Sequence, residues 1–155
     1  MITVNRAPQA IAALIGAEGC YYLSILELAR RVTNRLPDPI GLYDLFTQRR
    51  NKNGVFYMGA DCYVNDPTGI FDYCTGLEQT EFFKTPDLAF AFEPGDLACL
   101  RYEWKTTGNT RSHFVCANEA GTIDWDPMGL SNTVRFGQPM SYRVFRRNTR
   151  ATPPG

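Results

Sequence analysis

The chain has 155 residues, of which 44% are hydrophobic, and its 16 basic and 16 acidic residues give a formal net charge of zero. This composition is typical of one globular domain with its own core. A balanced charge argues against nucleic acid and a membrane surface as partners. No apolar run approaches the roughly 20 residues of a transmembrane helix. Residues 1–6 also lack the layout of a signal peptide, so we expect a cytoplasmic protein.

Helical signals occupy the first half of the chain. Apolar residues recur at helical spacing after Cys20, and two Asp-Pro pairs supply an N-cap followed by proline at the first helical position. Helices are therefore predicted over residues 7–15, over 21–33, from Asp38 to the region just before Gly54, and from Asp66 to about Gly76.

Strand signals dominate the second half, where β-branched and aromatic runs alternate with turns. Strands are predicted over residues 97–104, 112–117, 122–125, 133–136 and 142–145. Helices followed by an antiparallel sheet define the α+β class, with the N-terminal helices, which carry the cysteine, packed on the sheet. We expect one domain over residues 1–146 and a disordered basic tail over 147–155.

Five cysteines form no CxxC pair, and their odd number argues against a disulfide framework and against a sulfur-rich zinc site. Four of them are expected to be small buried apolar residues: Cys62, Cys74, Cys99 and Cys116. Cys20 differs because it begins a predicted helix, and a helix N-terminus favours a thiolate. Its alternative interpretation is a packed core thiol beside Tyr21.

His113 is the one histidine of the chain and lies in a predicted strand. The turn over residues 118–121 and the returning strand bring Asp126 back towards it, where the carboxylate can fix the imidazole tautomer. Asp124 competes for this role because it points to the same side of the strand. The alternatives are a structural histidine and, for Asp126-Pro127, a turn initiator.

A cysteine at a helix start, then His113-Phe114-Val115, then Asp126-Pro127 resembles the order and motifs of papain-like cysteine peptidases. The likeness is greatest to their bacteriocin-processing branch and its small bacterial and phage relatives. It implies a papain-like fold and hydrolysis of an amide or isopeptide bond in a peptide or protein substrate, through a thioester. Cys20 would be the nucleophile, His113 the base and Asp126 the orienting group, without a cofactor.

One feature departs from that family. Papain-like peptidases place a glutamine five to seven residues before the cysteine, where this chain has Ala13, Leu14 and Ile15. Gln9 is the candidate replacement as oxyanion donor, with Asn5 a weaker one, and the backbone N–H of Cys20 supplies a second donor. One lost donor costs ~10²–10³ in rate.

The missing glutamine favours an alternative function, a catalytically inactive papain-like module that binds a host protein or a virion component. Tyr21 and Trp125, which neighbour candidate catalytic residues in sequence, are the candidate binding residues.

The arginine-rich run over residues 142–150 is interpreted as a final edge strand and a solvated tail, so nucleic acid is the less favoured partner. The acidic residues suggest caps and loops rather than a metal site.

Overall fold

The computed structural model describes residues 19–35, 38–129 and 131–147. Within them the α-helices are α1 (Cys20–Thr33), α2 (Pro39–Thr47), α3 (Pro67–Thr75) and α4 (Asn132–Phe136). The strands are β1 (Glu81–Thr85), β2 (Leu97–Thr106), β3 (Asn109–Ala117), β4 (Ile123–Trp125) and β5 (Gln138–Arg146). The predicted α+β class is confirmed. The predicted helix over residues 7–15 and residues 148–155 of the predicted tail lie outside the described residues.

The five strands form one antiparallel sheet in the order β1-β5-β2-β3-β4. The prediction that the last strand lies at the sheet edge is therefore wrong, because β5 pairs with β1 on one side and β2 on the other. Its Arg146 forms ion pairs with Asp96 and Glu93, each at 2.9 Å. That arginine is a structural group and not part of a free basic surface.

Helix α1 is the central element of the core. Its apolar residues were predicted to form one face, but every residue from Tyr22 to Ala29 is buried. The Tyr22 hydroxyl donates a hydrogen bond to the Leu42 carbonyl of α2 at 2.5 Å, and the Ser24 hydroxyl donates to the Phe114 carbonyl of β3 at 3.2 Å. The helix that begins at Cys20 is thus fixed against both the other helices and the sheet.

Apolar side chains cover both faces of the sheet. Cys99 and Cys116 belong to the cluster that contains α1, whereas Leu100 and Val115 belong to a second cluster. Successive side chains of a strand point to opposite faces, so this alternation means that both faces are buried. The register of β2 and β3, and with it the position of His113, is set by this two-sided burial.

The Asp-Pro signals predicted two helix starts. Asp38 accepts the N–H of Gly41 at 2.9 Å, and Asp66 accepts that of Gly69 at 3.0 Å. The third predicted helix end is wrong, because α2 stops at Thr47.

Beyond the end of α2, Arg50 pairs with Phe56 in an isolated bridge and its guanidinium lies 3.9 Å from the Phe56 ring centre. These contacts outweigh the helical signal of the basic residues near position 50.

The predicted strand over residues 133–136 is instead helix α4. The Ser131 side chain accepts the N–H of Val134 at 3.2 Å and caps this helix, which overrides the strand propensity of its residues. Gly137 ends it in a crowded position: a Cβ there would lie 2.4 Å from the Thr133 carbonyl oxygen and 2.5 Å from that of Glu103. Only glycine allows α4 to approach β2 this closely.

The longest described helix, α1, has 14 residues. Within the described ranges no helix combines the length and apolar character that a membrane crossing requires.

Candidate functional site

Cys20 is the first residue of α1 and follows Gly19, the N-cap. It is 7% exposed. No acidic residue lies in the first turn of the helix, and the N-cap supplies no side-chain hydrogen bond. The N-terminal N–H groups therefore keep their partial positive charge, which favours a negative charge in this position.

His113 lies in β3, directly opposite Tyr102 of β2. It is 5% exposed, and its Nε2 lies 2.7 Å from Oδ1 of Asp126. Because Nε2 makes this contact, Nδ1 is the ring nitrogen left for a second partner.

Asp126 directly follows β4, and its carboxylate is fixed by three contacts. Oδ1 accepts the N–H of Met128 at 2.8 Å as well as the hydrogen bond from His113, and Oδ2 accepts the N–H of Ser131 at 3.3 Å. Burial acts to raise the pKa of this carboxyl, but the hydrogen bonds from His113 and the two backbone groups outweigh burial and lower it. The aspartate is thus held as a carboxylate beside the imidazole.

The pKa of His113 is raised from 6.5 to about 9. Burial is the largest single influence and acts in the opposite direction. It is outweighed by the hydrogen bond with Asp126, by the hydrogen bond with the Cys20 side chain and by the electrostatic interactions with these two side chains. The histidine is therefore an imidazolium near neutral pH, in contact with an aspartate on one side and interacting with a cysteine.

Cys20 and His113 line the same cleft, which has a volume of about 980 Å³. The walls come from the short 3-10 turn Ala60–Cys62, from the hairpin of β2 and β3, and from the start of α4. The other lining residues are Asp61, Trp104, Thr106, Arg111, Ser112, Met128, Ser131, Asn132 and Thr133. A cysteine, a histidine and an open volume large enough for a peptide segment thus occur together.

Asp124, the other candidate partner of His113, has a different contact. Its carboxylate binds Arg31 of α1 through two hydrogen bonds of 2.7 and 3.0 Å. Arg31 also donates to Glu27, a buried carboxylate, at 3.1 Å. This pair fixes β4 to the end of α1, and Asp126 is the aspartate that contacts the histidine.

The two candidate binding residues do not line the cleft. Tyr21 stacks on Phe114 with 4.1 Å between the ring centres, and Trp125 packs against the main core. Their role in binding a substrate stays a prediction, as does that of Gln9, which lies outside the described residues.

Several cleft residues were not predicted from the sequence, among them Asp61, Trp104, Arg111 and Asn132. The hairpin register contains a usable signal for two of them. Arg111 precedes His113 by two positions, and Trp104 of β2 lies directly opposite Arg111. Both side chains must therefore lie on the same face of the hairpin as the histidine. Asp61 and Asn132 lie in segments that are remote in sequence and have no such signal.

None of the five cysteines, all of which lie in the described residues, forms a disulfide. The prediction that the four other than Cys20 are buried is wrong for Cys62, which is partly exposed because it lies in the 3-10 turn at the surface. Among the residues that the structure describes, no three histidine, cysteine, aspartate or glutamate side chains form a group that could hold a metal ion.

The protein is thus an α+β domain in which a cysteine and a histidine line one cleft, and the histidine is hydrogen-bonded to an aspartate. The chain belongs to the family DUF261, described as a protein of unknown function, whose model matches residues 3–147. Comparison with curated proteins and with solved structures finds no match.

Proposed function

We propose that this protein is a cysteine-dependent hydrolase with a papain-like fold that cleaves an amide or isopeptide bond in a peptide or protein. One observation carries the proposal: Cys20 and His113 line the same cleft, and the histidine is hydrogen-bonded to Asp126 at 2.7 Å. Nucleophile, base and orienting group are the three parts that covalent acyl transfer requires.

In the first half-reaction the Cys20 sulfur attacks the carbonyl carbon and forms a C–S bond. The thiol proton, held by His113, passes to the amide nitrogen as the C–N bond breaks and the amine leaves. The raised pKa of His113, about 9, supports its role as the proton donor in this step. The product is a thioester on Cys20.

In the second half-reaction His113 accepts a proton from water as the water oxygen attacks the thioester carbon. The C–S bond breaks, the carboxylic acid leaves, and the Cys20 sulfur is released as a thiolate beside the protonated His113, which is the pair that began the first half-reaction. Asp126 keeps the ring in one orientation through both steps, since its carboxylate is itself fixed by the N–H groups of Met128 and Ser131.

The negative oxygen formed in each attack needs hydrogen-bond donors. The backbone N–H of Cys20 lies in the first turn of α1, where N–H groups have no partner within the helix. We assign the second donor to the Gln9 side chain, which would replace the glutamine that papain-like peptidases have closer to the cysteine.

The pH dependence of alkylation by iodoacetamide, followed at each cysteine by mass spectrometry, tests the proposed function. We expect Cys20 to react below pH 7 faster than the other four cysteines, and His113→Ala to remove this advantage. A full-length Cys20→Ala protein that hydrolyses peptides as fast as the wild type would overturn the proposal.

A second candidate is a catalytically inactive module on the same fold that binds a host or virion protein. Exposed aromatic side chains between α2 and the end of α3 favour it, namely Phe56, Tyr63, which is 68% exposed, and Tyr73. Such a module needs no reactive thiol. A Cys20 that reacts no faster than a simple thiol at every pH would favour this candidate over the hydrolase.

A further inference from the structure

Arg111 lies in the candidate cleft beside the reacting groups. It is exposed in β3, two residues before His113, and it stands directly opposite Trp104 of β2. Side chains two positions apart in a strand share a face, so the guanidinium extends from the same face of the hairpin as the histidine.

Within the described residues, no carboxylate lies within ion-pair distance of Arg111. The acidic residue of the neighbouring strand is Glu103, and it is engaged elsewhere: Arg101 lies 2.9 Å from its carboxylate and Lys105 3.7 Å. Besides the imidazolium of His113, the hairpin thus contains three cations and one anion, and Arg111 is the one of these three that lines the cleft.

The opposite charge in the cleft is Asp61, which is exposed in the 3-10 turn and also has no ion pair among the described residues. Its backbone has a positive φ of 55°, a conformation that aspartate and asparagine tolerate better than most residues. Arg111 and Asp61 do not neutralise each other, so the cleft has one positive and one negative wall.

We infer that the substrate carries a carboxylate group close to the scissile bond and that Arg111 binds it. This inference rests on the proposed function. A guanidinium can donate two parallel hydrogen bonds to a carboxylate, and this geometry makes arginine selective for such groups. The negative wall at Asp61 repels the same group, which restricts the substrate to one direction in the cleft.

The test uses tetrapeptide chloromethyl ketones in which one position at a time is either Glu or Gln. The Cys20 thiolate displaces chloride from these compounds, so that a C–S bond forms as the C–Cl bond breaks. The rate is measured as covalent labelling of Cys20 by mass spectrometry at low ionic strength. At one position we expect the Glu compound to react about three to ten times faster than its Gln counterpart.

Three variants locate this preference. Arg111→Ala is expected to abolish it, and Lys105→Ala, which removes the same charge from a residue outside the cleft, to leave it unchanged. Asp61→Asn removes the negative charge of this wall, and asparagine tolerates the same positive φ as aspartate. The variant is expected to increase the labelling rate of the Glu compound about two-fold.

The outcomes separate this inference from the proposed function. If Cys20 is labelled but Glu and Gln compounds react equally at every position, the inference is wrong and the hydrolase proposal stands. If Lys105→Ala lowers the preference as much as Arg111→Ala does, net charge and not a contact explains it, and the inference is again wrong. If no compound labels Cys20 in preference to the other cysteines, the proposed function fails, and the inference with it.

Discussion

Asp126→Asn tests the link between Asp126 and His113. The variant retains the size and shape of the side chain but removes its negative charge. Both side chains of the pair are buried, 6% and 7% exposed, so solvent screens their interaction little. We therefore expect the substitution to lower the pKa of His113 from about 9 towards 6.5.

The magnitude follows from the pKa of His113. A rise from 6.5 to about 9 corresponds to about 3 kcal/mol of stability from the protonated ring. Because the folded pKa is raised, this stability is fully present below pH 6.5 and is lost as the pH rises through about 9. The interaction with Cys20 causes part of the rise in pKa. We therefore expect Asp126→Asn to remove about 2 kcal/mol of this stability.

Two measurements on the full chain check this expectation. Since His113 is the one histidine, its imidazole proton resonance gives the pKa without assignment. Urea unfolding at pH 6 and pH 9.5 gives the free energy of unfolding. The difference in the free energy of unfolding between wild type and Asp126→Asn should be about 2 kcal/mol larger at pH 6 than at pH 9.5. Other titrating groups cancel in this comparison, because both proteins contain them.

Asp124→Asn is the matched control. It weakens the partly exposed ion pair with Arg31, which is worth about 0–1 kcal/mol, and should leave the pKa of His113 unchanged. The reasoning is refuted if His113 of the wild type titrates near 6.5, or if both variants shift the pKa of His113 equally.

Three further predictions concern other substitutions. Cys20→Ala should abolish peptide hydrolysis, whereas Cys62→Ala, at a partly exposed cysteine that is not among the residues lining the cleft, should not change kcat. Gln9→Ala should lower kcat by ~10²–10³ and Asn132→Ala by less than about tenfold; the reverse order would assign the oxyanion contact to Asn132. Gly137→Ala should lower the free energy of unfolding by about 2 kcal/mol or more, measured by urea unfolding, because the new Cβ meets two backbone carbonyl oxygens.

Local signals predicted the elements whose ends are determined locally. The Asp38 and Asp66 caps and the glycine at the end of α3, Gly76 with a φ of 78°, each act within four residues and can be recognised in the sequence. The hairpin after His113 also depends on a short turn, and it brings Asp126 to the imidazole.

Contacts between distant residues account for what the sequence did not predict. The end of α2 depends on Arg50 and Phe56 pairing across a loop, and the internal position of β5 depends on β1, which is more than 50 residues earlier in the chain. Of the residues that line the cleft, Asp61 comes from a segment with no periodic pattern. Propensity describes neighbours in sequence, whereas these features arise from neighbours in space.

The incorrect strand prediction over residues 133–136 affects the site itself. Ser131 has two roles there: its side chain caps α4 by accepting the N–H of Val134, and its own N–H donates to the Asp126 carboxylate. One residue therefore caps the helix that forms one cleft wall and also supplies one of the three hydrogen bonds that fix the aspartate beside His113. A displacement of the start of α4 reaches the imidazole through two successive hydrogen bonds, whereas in the described part of the chain the caps of α2 and α3 have no such connection.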